Sequence, residues 1–261
     1  MINKTLGFIG CGNMGSAIIK GVLNSKTFLS VNAYDIKRND ELDVNYLNSI
    51  NELVQKSDII LLCVKPNMFK QILTEIKQCD YKEKIFVSIA AGITKEFIKQ
   101  ILGDVMLVRV MPNLPLCVGE GMSVVCADDN INEENLEAVK MIFAFSGKIS
   151  LMNEDYINKA LAVNGSGPAY VFMFIEAMAD SLVKNGVARD ESYKIAAQTV
   201  LGSAKMLLET NLHPGILKDM VCSPAGTTIE AVIELEKRGF RYSVMDAIEK
   251  CTQKANDMSK K

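Results

Sequence analysis

Gly10, Gly12 and Gly15 stand at G-x-G-x-x-G spacing directly after the apolar run Leu6-Gly7-Phe8-Ile9. They open a segment, Ser16 to Leu23, with apolar residues at 17, 18, 19, 22 and 23. That context predicts a strand, a tight turn and a helix whose N-terminus receives the pyrophosphate of a dinucleotide. The first glycine serves the turn, the second lets backbone approach the anion, and the third lets the helix pack closely on the sheet. An acid is expected to end the next strand about 20 residues on. Val31-Asn32-Ala33-Tyr34-Asp35 supplies it. The alternative is a glycine-rich turn in a βαβ unit that holds no ligand.

Other phosphate chemistries fit poorly. Ala17-Ile18-Ile19-Lys20 mimics a kinase lysine segment, but Lys20 follows the last glycine by five residues within a helical pattern, and a kinase lysine occupies a separate strand. The single histidine, His213, is followed by Pro214-Gly215, so no H-R-D loop exists. No glycine precedes Lys-Ser or Lys-Thr, which removes the P-loop. Seven cysteines without a C-x-x-C pair, and one histidine, leave little material for a metal site.

The elements that must position such a turn can be read along the chain. Strands are expected at 6–9, 31–35, 58–64, 84–89, 105–110 and 122–127, with helices between them at 15–24, 48–56, 67–77, 95–102 and 132–145. Alternation of this kind predicts a mostly parallel α/β sheet covered on both faces. Asn132-Glu133-Glu134 reads as the capped start of the last of these helices. From about residue 155 the strands stop, and helices are expected at 170–183, 190–209, 228–237 and 243–258. The chain therefore divides into an α/β domain, 1–154, and an all-α domain, 155–261. Tyr170 to Val183 is apolar nearly all round, so it must be buried on most sides. Too few residues surround it for that, and another chain is expected to complete the core.

Composition limits partners and compartment. Hydrophobic residues make up 49% of 261, and 29 basic residues against 31 acidic ones give a net charge of -2. No basic stripe suggests nucleic acid. Neither a signal peptide nor a membrane helix of roughly 18 apolar residues is expected, and the unpaired cysteines suit a reducing compartment, so the chain reads as cytoplasmic.

Further loops leave the expected strand ends. Val64-Lys65-Pro66-Asn67, Ala90-Ala91-Gly92 and Arg109-Val110-Met111-Pro112-Asn113-Leu114-Pro115 follow three strands, at the edge where open α/β sheets bind ligands. A solvated strand-end lysine explains Lys65 as well. Gly165-Ser166-Gly167-Pro168 opens the most apolar helix, as proline at a first helical turn commonly does. In Ser223-Pro224-Ala225-Gly226-Thr227-Thr228-Ile229-Glu230, Thr227 and Glu230 have capping-box spacing. The small residues ahead of that helix also leave N–H groups accessible to a carboxylate, and Thr228 adds a hydroxyl.

Taken together, GFIGCGNMGSAIIKG, CVKPNMF, SIAAGIT, RVMPNLP, GSGPAYVF and HPGILKDMVCSPAGTTIEA resemble the pyrroline-5-carboxylate reductase family, over residues 6 to about 252. The resemblance implies a Rossmann domain, a helical dimerisation domain, and reduction of the cyclic imine 1-pyrroline-5-carboxylate to proline by NADPH or NADH. It makes Gly10, Cys11, Gly12, Asn13, Met14 and Gly15 the pyrophosphate turn, and Cys63, Val64, Lys65 and Pro66 a cofactor loop. Ala90, Ala91 and Gly92 would lie near the nicotinamide, with Asn113 also on the cofactor. Ser223, Gly226, Thr227 and Thr228 would bind substrate, Thr228 at the ring nitrogen. The family usually has Thr, Ser and Gly where Leu114, Asn164 and Ala225 stand here.

Cofactor choice carries opposed signals. Asp35 would accept from ribose hydroxyls and repel a 2′-phosphate, whereas Lys37 and Arg38 could hold that phosphate. The reaction itself asks for little acid–base machinery, because a protonated imine is already electrophilic. A β-hydroxyacid dehydrogenase shares the N-terminal pattern but requires a lysine in the segment that reads NGSGPAYVF here. A non-catalytic nucleotide-binding regulator is the other alternative. The assembly expected is a homodimer or a ring of such dimers, with each active site combining the cofactor domain of one chain and helices of another.

Overall fold

The computed structural model describes residues 2–259, which form two compact units. The first comprises the chain up to Ser166 together with the residues from Cys251 on; the second is Gly167–Lys250.

In the first unit the order is β1 (Ile2–Ile9), α1 (Asn13–Ser25), β2 (Phe28–Tyr34), β3 (Asn45–Tyr46), α2 (Ile50–Gln55), β4 (Ile59–Leu62) and α3 (Phe69–Ile76). Then come β5 (Ile85–Ser88), α4 (Lys95–Leu102), β6 (Met106–Met111), β7 (Gly121–Ala127), α5 (Glu133–Ala144), β8 (Gly147–Leu151) and α6 (Glu154–Asn164). The strands form one sheet in the order β3-β2-β1-β4-β5-β6-β7-β8, parallel throughout except between β6 and β7. β3 and β8, its two edges, were not expected from the sequence pattern.

Side chains alternate between two cores because strand periodicity is two. Leu6, Phe8, Ile59, Leu61, Ile85, Val87, Val108 and Val110 pack under α1 and α5. Ile60, Leu62, Phe86 and Leu107 pack on the other face, under α2, α3 and α4. Burying each such side chain is worth about 1.5–3 kcal/mol, and this double cover holds the strand ends in place. Asn132 does cap α5, its side chain accepting the Asn135 N–H at 2.8 Å.

The second unit contains α7 (Gly167–Lys184), α8 (Arg189–Thr210), α9 (Pro214–Val221), α10 (Thr227–Lys237) and the start of α11 (Phe240–Ser259). α6 and α9 are additions to the expected helices. Strands end with β8 and helices begin with α6, as the pattern change near 154 and 155 indicated. By compactness, however, α6 and the end of α11 group with the sheet. Within the chain α7 is left open, as the expectation of a second chain requires: among its residues only Ala179 is buried, and Phe172 and Met173 are 56% and 69% exposed.

Candidate active site

The chain passes from β1 outward to β2 and β3, then returns to β4 on the other side of β1, which puts the topological switch between β1 and β4. The glycine turn sits there. Gly10 has φ +101, and a Cβ on it would lie 2.7 Å from the Cys63 carbonyl oxygen, so no other residue fits this left-handed turn. A Cβ on Gly15 would run into the Gly10 carbonyl, which is how α1 comes to rest directly on the turn. Nothing lies within 4 Å of the corresponding point on Gly12. Gly12 is the N-cap of α1 and accepts the Ser16 N–H at 2.8 Å. The first N–H groups of α1 therefore point without intrahelical partners at that open space. A cleft of about 800 Å³ continues from it, lined by Cys11, Gly12 and Asn13 on one side and Leu114, Cys117 and Val118 on the other. A cradle that any Cβ at Gly10 would fill, open at Gly12, suits a pyrophosphate.

Asp35 follows β2 and is bound to the turn. Its Oδ2 accepts the Cys11 N–H at 2.5 Å, and its Oδ1 accepts the Lys37 N–H at 3.0 Å. The carboxylate thus staples the glycine turn to the loop after β2, and further hydrogen bonds must use its remaining lone pairs. Lys37 is exposed, whereas Arg38 donates to Asn48 at 3.2 Å and lies 5.5 Å over the Tyr46 ring. Tyr46 and Asn39 complete this wall: the Tyr46 hydroxyl accepts the Asn39 N–H at 3.0 Å, and Asn39 Nδ2 donates to Ser16 at 3.3 Å. No spacing in the sequence marks either residue. Burial pushes the Cys11 thiol up to about 11, against a hydrogen bond from Tyr46 that lowers it and with Asp35 nearby adding to the rise. Burial likewise raises Cys63. Neither thiol is a nucleophile at neutral pH.

β4, β5 and β6 run parallel to β1, so their following loops leave the same sheet edge as the glycine turn. Cys63 donates its N–H to Ile9 at 2.8 Å, while Lys65 and Pro66 are exposed. Ala90 is buried, Ala91 packs on the small cluster of Met111, Val124, Cys126 and Ile157, and Gly92 turns with φ +77. Asn113 is buried, and its side-chain carbonyl accepts the Met122 N–H at 2.9 Å, which fastens its loop to β7. Asn164 reaches the same strand end, donating to the Met111 carbonyl at 2.7 Å.

In the helical unit, Ser223–Gly226 forms a turn closed by the Gly226 N–H on the Ser223 carbonyl at 3.1 Å. Ala225 takes φ +54, a left-handed conformation that favours glycine. The expected capping box does not form. Gly226 is the N-cap of α10, no side chain caps it, and Thr227 is already the first helical residue, which places it too late to serve that end. The leading N–H groups of α10 are consequently open to a ligand. The half-buried Thr228 makes no side-chain hydrogen bond among the described residues. His213 is exposed and caps α9, its Nδ1 accepting the Gly215 N–H at 3.1 Å.

Among the described residues no group of three or more His, Cys, Asp or Glu side chains could hold a metal ion, and no helix is long and apolar enough to cross a membrane.

Comparison with known proteins matches residues 154–258 to the family model for pyrroline-5-carboxylate reductase dimerisation. Residues 5–92 match the model for NADP oxidoreductase, coenzyme F420-dependent. The pyrroline-5-carboxylate reductase of Escherichia coli is 44% identical over 268 residues, covering 99% of this chain and 100% of its own. That of Arabidopsis thaliana is 39% identical, with 97% and 95% covered. The crystal structure of Plasmodium falciparum pyrroline carboxylate reductase with NADP bound superposes with a TM-score of 0.92 at 35% identity, covering 99% of each chain.

Proposed function

The chain belongs to the pyrroline-5-carboxylate reductase family, and from that premise we propose how its own residues serve the reaction, reduction of 1-pyrroline-5-carboxylate to L-proline with NAD(P)H. The observation that carries the proposal is the glycine cradle at the β1–β4 switch, closed at Gly10 and open at Gly12.

When bound, the dihydronicotinamide supplies the hydride. Gly10–Gly15 hold the pyrophosphate through the N-terminal amides of α1. Cys63–Pro66, Ala90–Gly92 and Asn113 border the rest of the dinucleotide from the same sheet edge. Ser223, Gly226 and Thr227 present hydroxyls and helix amides to the substrate carboxylate, which the positive end of α10 favours. Thr228 hydrogen-bonds the ring nitrogen. That nitrogen arrives protonated, the imine carbon gains the hydride, and the C=N π electrons become the amine lone pair. No group of the chain needs to transfer a proton. The chain's work is orientation, which suits a chain whose only histidine is a helix cap outside the site.

Asp35 opposes a 2′-phosphate, and Lys37 with Arg38 attracts one. Each exposed charge contact is worth about 1 kcal/mol, so both cofactors serve, with less than about 30-fold discrimination. A second copy covers α7 and α8 to make a homodimer, and such dimers build a larger ring. Seven free thiols fit a cytoplasmic location.

Oxidation of NAD(P)H by the purified protein on addition of pyrroline-5-carboxylate tests the reaction. Turnover is expected with the imine and none with 3-hydroxyisobutyrate or 6-phosphogluconate; no turnover with either cofactor refutes the reading.

A further inference from the structure

Arg109 lies within β6 at 2% exposure, the bulkiest of the fully buried side chains. A guanidinium in such a place needs partners, and its two terminal nitrogens find them while Nε has none among the described residues. Nη1 donates to Glu154 Oε1 at 3.1 Å, and Nη2 donates to Asn158 Oδ1 at 3.4 Å. Both partners are on α6, and each reaches further.

Glu154 Oε1 also accepts the backbone N–H of Lys95 at 2.9 Å. Lys95 is the first residue of α4, so this bond fastens the far end of the loop that begins at Ala90. The Lys95 ammonium pairs with Asp128 at 2.8 Å and stands 3.9 Å from Glu154 Oε2. Asn158 turns its amide nitrogen the other way, donating to Asn256 Oδ1 at 3.2 Å and Ser259 Oγ at 3.1 Å, both on the last turns of α11. Between those two residues, Met258 lies against Gly92: a Cβ on Gly92 would be 3.3 Å from Met258 Cβ. The path closes on itself, from Gly92 through Lys95, Glu154, Arg109 and Asn158 to α11 and back by Met258. Asn256 and Met258 are exposed. They bury too little to be a source of fold stability, yet they hold one side of a loop whose other side is fixed from within the sheet.

We propose that Arg109, Glu154 and Asn158 are positioning residues for the Ala90–Gly92 loop, and that the end of α11 is a strap that keeps this loop at the height the nicotinamide requires. The proposal rests on the reading that the loop borders the nicotinamide. Hydride transfer depends steeply on donor–acceptor distance, so a loosened loop lowers turnover while leaving the pyrophosphate and adenosine contacts intact.

Arg109 variants risk misfolding, so the test uses two changes in the full-length protein: Asn158→Ala, which cuts the path at its middle, and Asn256→Ala, which removes an acceptor on the end of α11. Amide hydrogen exchange over residues 90–95, measured without cofactor, should accelerate by about 5–20-fold in both variants. kcat should fall by about 5–20-fold, with KM for NAD(P)H within about 2-fold of the parent and, in Asn256→Ala, which leaves Arg109 untouched, the melting temperature nearly unchanged. Unaltered exchange at 90–95 in both variants, or faster exchange with unchanged kcat, overturns the strap. Protection of 90–95 by NADPH in the parent enzyme tests the placement separately: without it the loop does not border the cofactor, whatever the variants do.

Discussion

β4 and α7 are both strongly apolar, yet they end in opposite circumstances. Ile59, Ile60, Leu61 and Leu62 are completely buried. In α7 only Ala179 is, while Val171, Phe172, Met173 and Phe174 face outward. The same holds for their surroundings. The sheet has helices on both faces, whereas in residues 167–250 only Ala179, Ser192 and Ala196 are buried. The lesson is that hydrophobicity dictates burial but not by what. A parallel sheet can be covered by its own crossover helices; a helical unit of this size runs out of chain first. Large exposed apolar faces mark interaction surfaces, and residues 154–258 match a dimerisation family. Both observations support the second copy proposed for the helical unit.

The sharpest contrast comes from two phenylalanines. Phe86→Ala, in the closed core, should destabilise the fold by about 3–5 kcal/mol in denaturant titrations; a loss below about 1 kcal/mol would mean that the sheet core is less complete than its burial implies. Phe172→Asp, in the open unit, should instead weaken self-association by about 100-fold, near 2.7 kcal/mol, with the sheet unit still folded. Light scattering that finds the oligomer intact, or an active monomer, breaks the comparison.

The proposed chemistry divides along the same line. Thr228→Ala, on the helical side, should lower kcat/KM for the imine by about 10–100-fold, as expected for loss of one hydrogen bond of about 1.5–3 kcal/mol, with NADPH affinity barely altered. An equal loss of cofactor binding would put Thr228 elsewhere. Asp35→Ser, on the sheet side, should raise kcat/KM for NADPH relative to NADH by about 3–10-fold, the size of one exposed charge contact. An unchanged ratio would leave Asp35 as a staple for the turn and nothing more. The smallest effect belongs to Ala225→Gly, which relieves a left-handed alanine and should add about 0.5–1 kcal/mol of stability.

Most of the sheet was legible because its signals are local. Buried runs such as 58–64 and 84–89 carry their own strand pattern, and glycines at 10, 12 and 15 carry their own turn. The two edge strands did not announce themselves. β3 is Asn45–Tyr46 alone, polar and two residues long, and exists by pairing with Asn32 and Ala33. β8 is a half-exposed edge that pairs with β7 from Gly121 to Val125. α6 escaped because Asn, Lys and acids interrupt its apolar residues, and α9 because Pro214-Gly215, which reads as a turn, opens it. The capping box failed for a different reason. Thr227 and Glu230 have the right spacing, but Gly226, in extended backbone, ends the turn one residue earlier.

The glycine turn, the alternating sheet, the change to helices near residue 155, and the family are all encoded locally, since they rest on covalent spacing and on side-chain periods within a few residues. What the polar side chains do is settled between segments far apart in the chain. Asp35 meets the Cys11 amide across 24 positions, Asn113 meets Met122 across 9, and Arg109 meets Glu154 across 45. Their partners are chosen by which donors remain unsatisfied once the sheet and its helices have packed, because an unpaired buried polar group costs more than almost any local preference can repay.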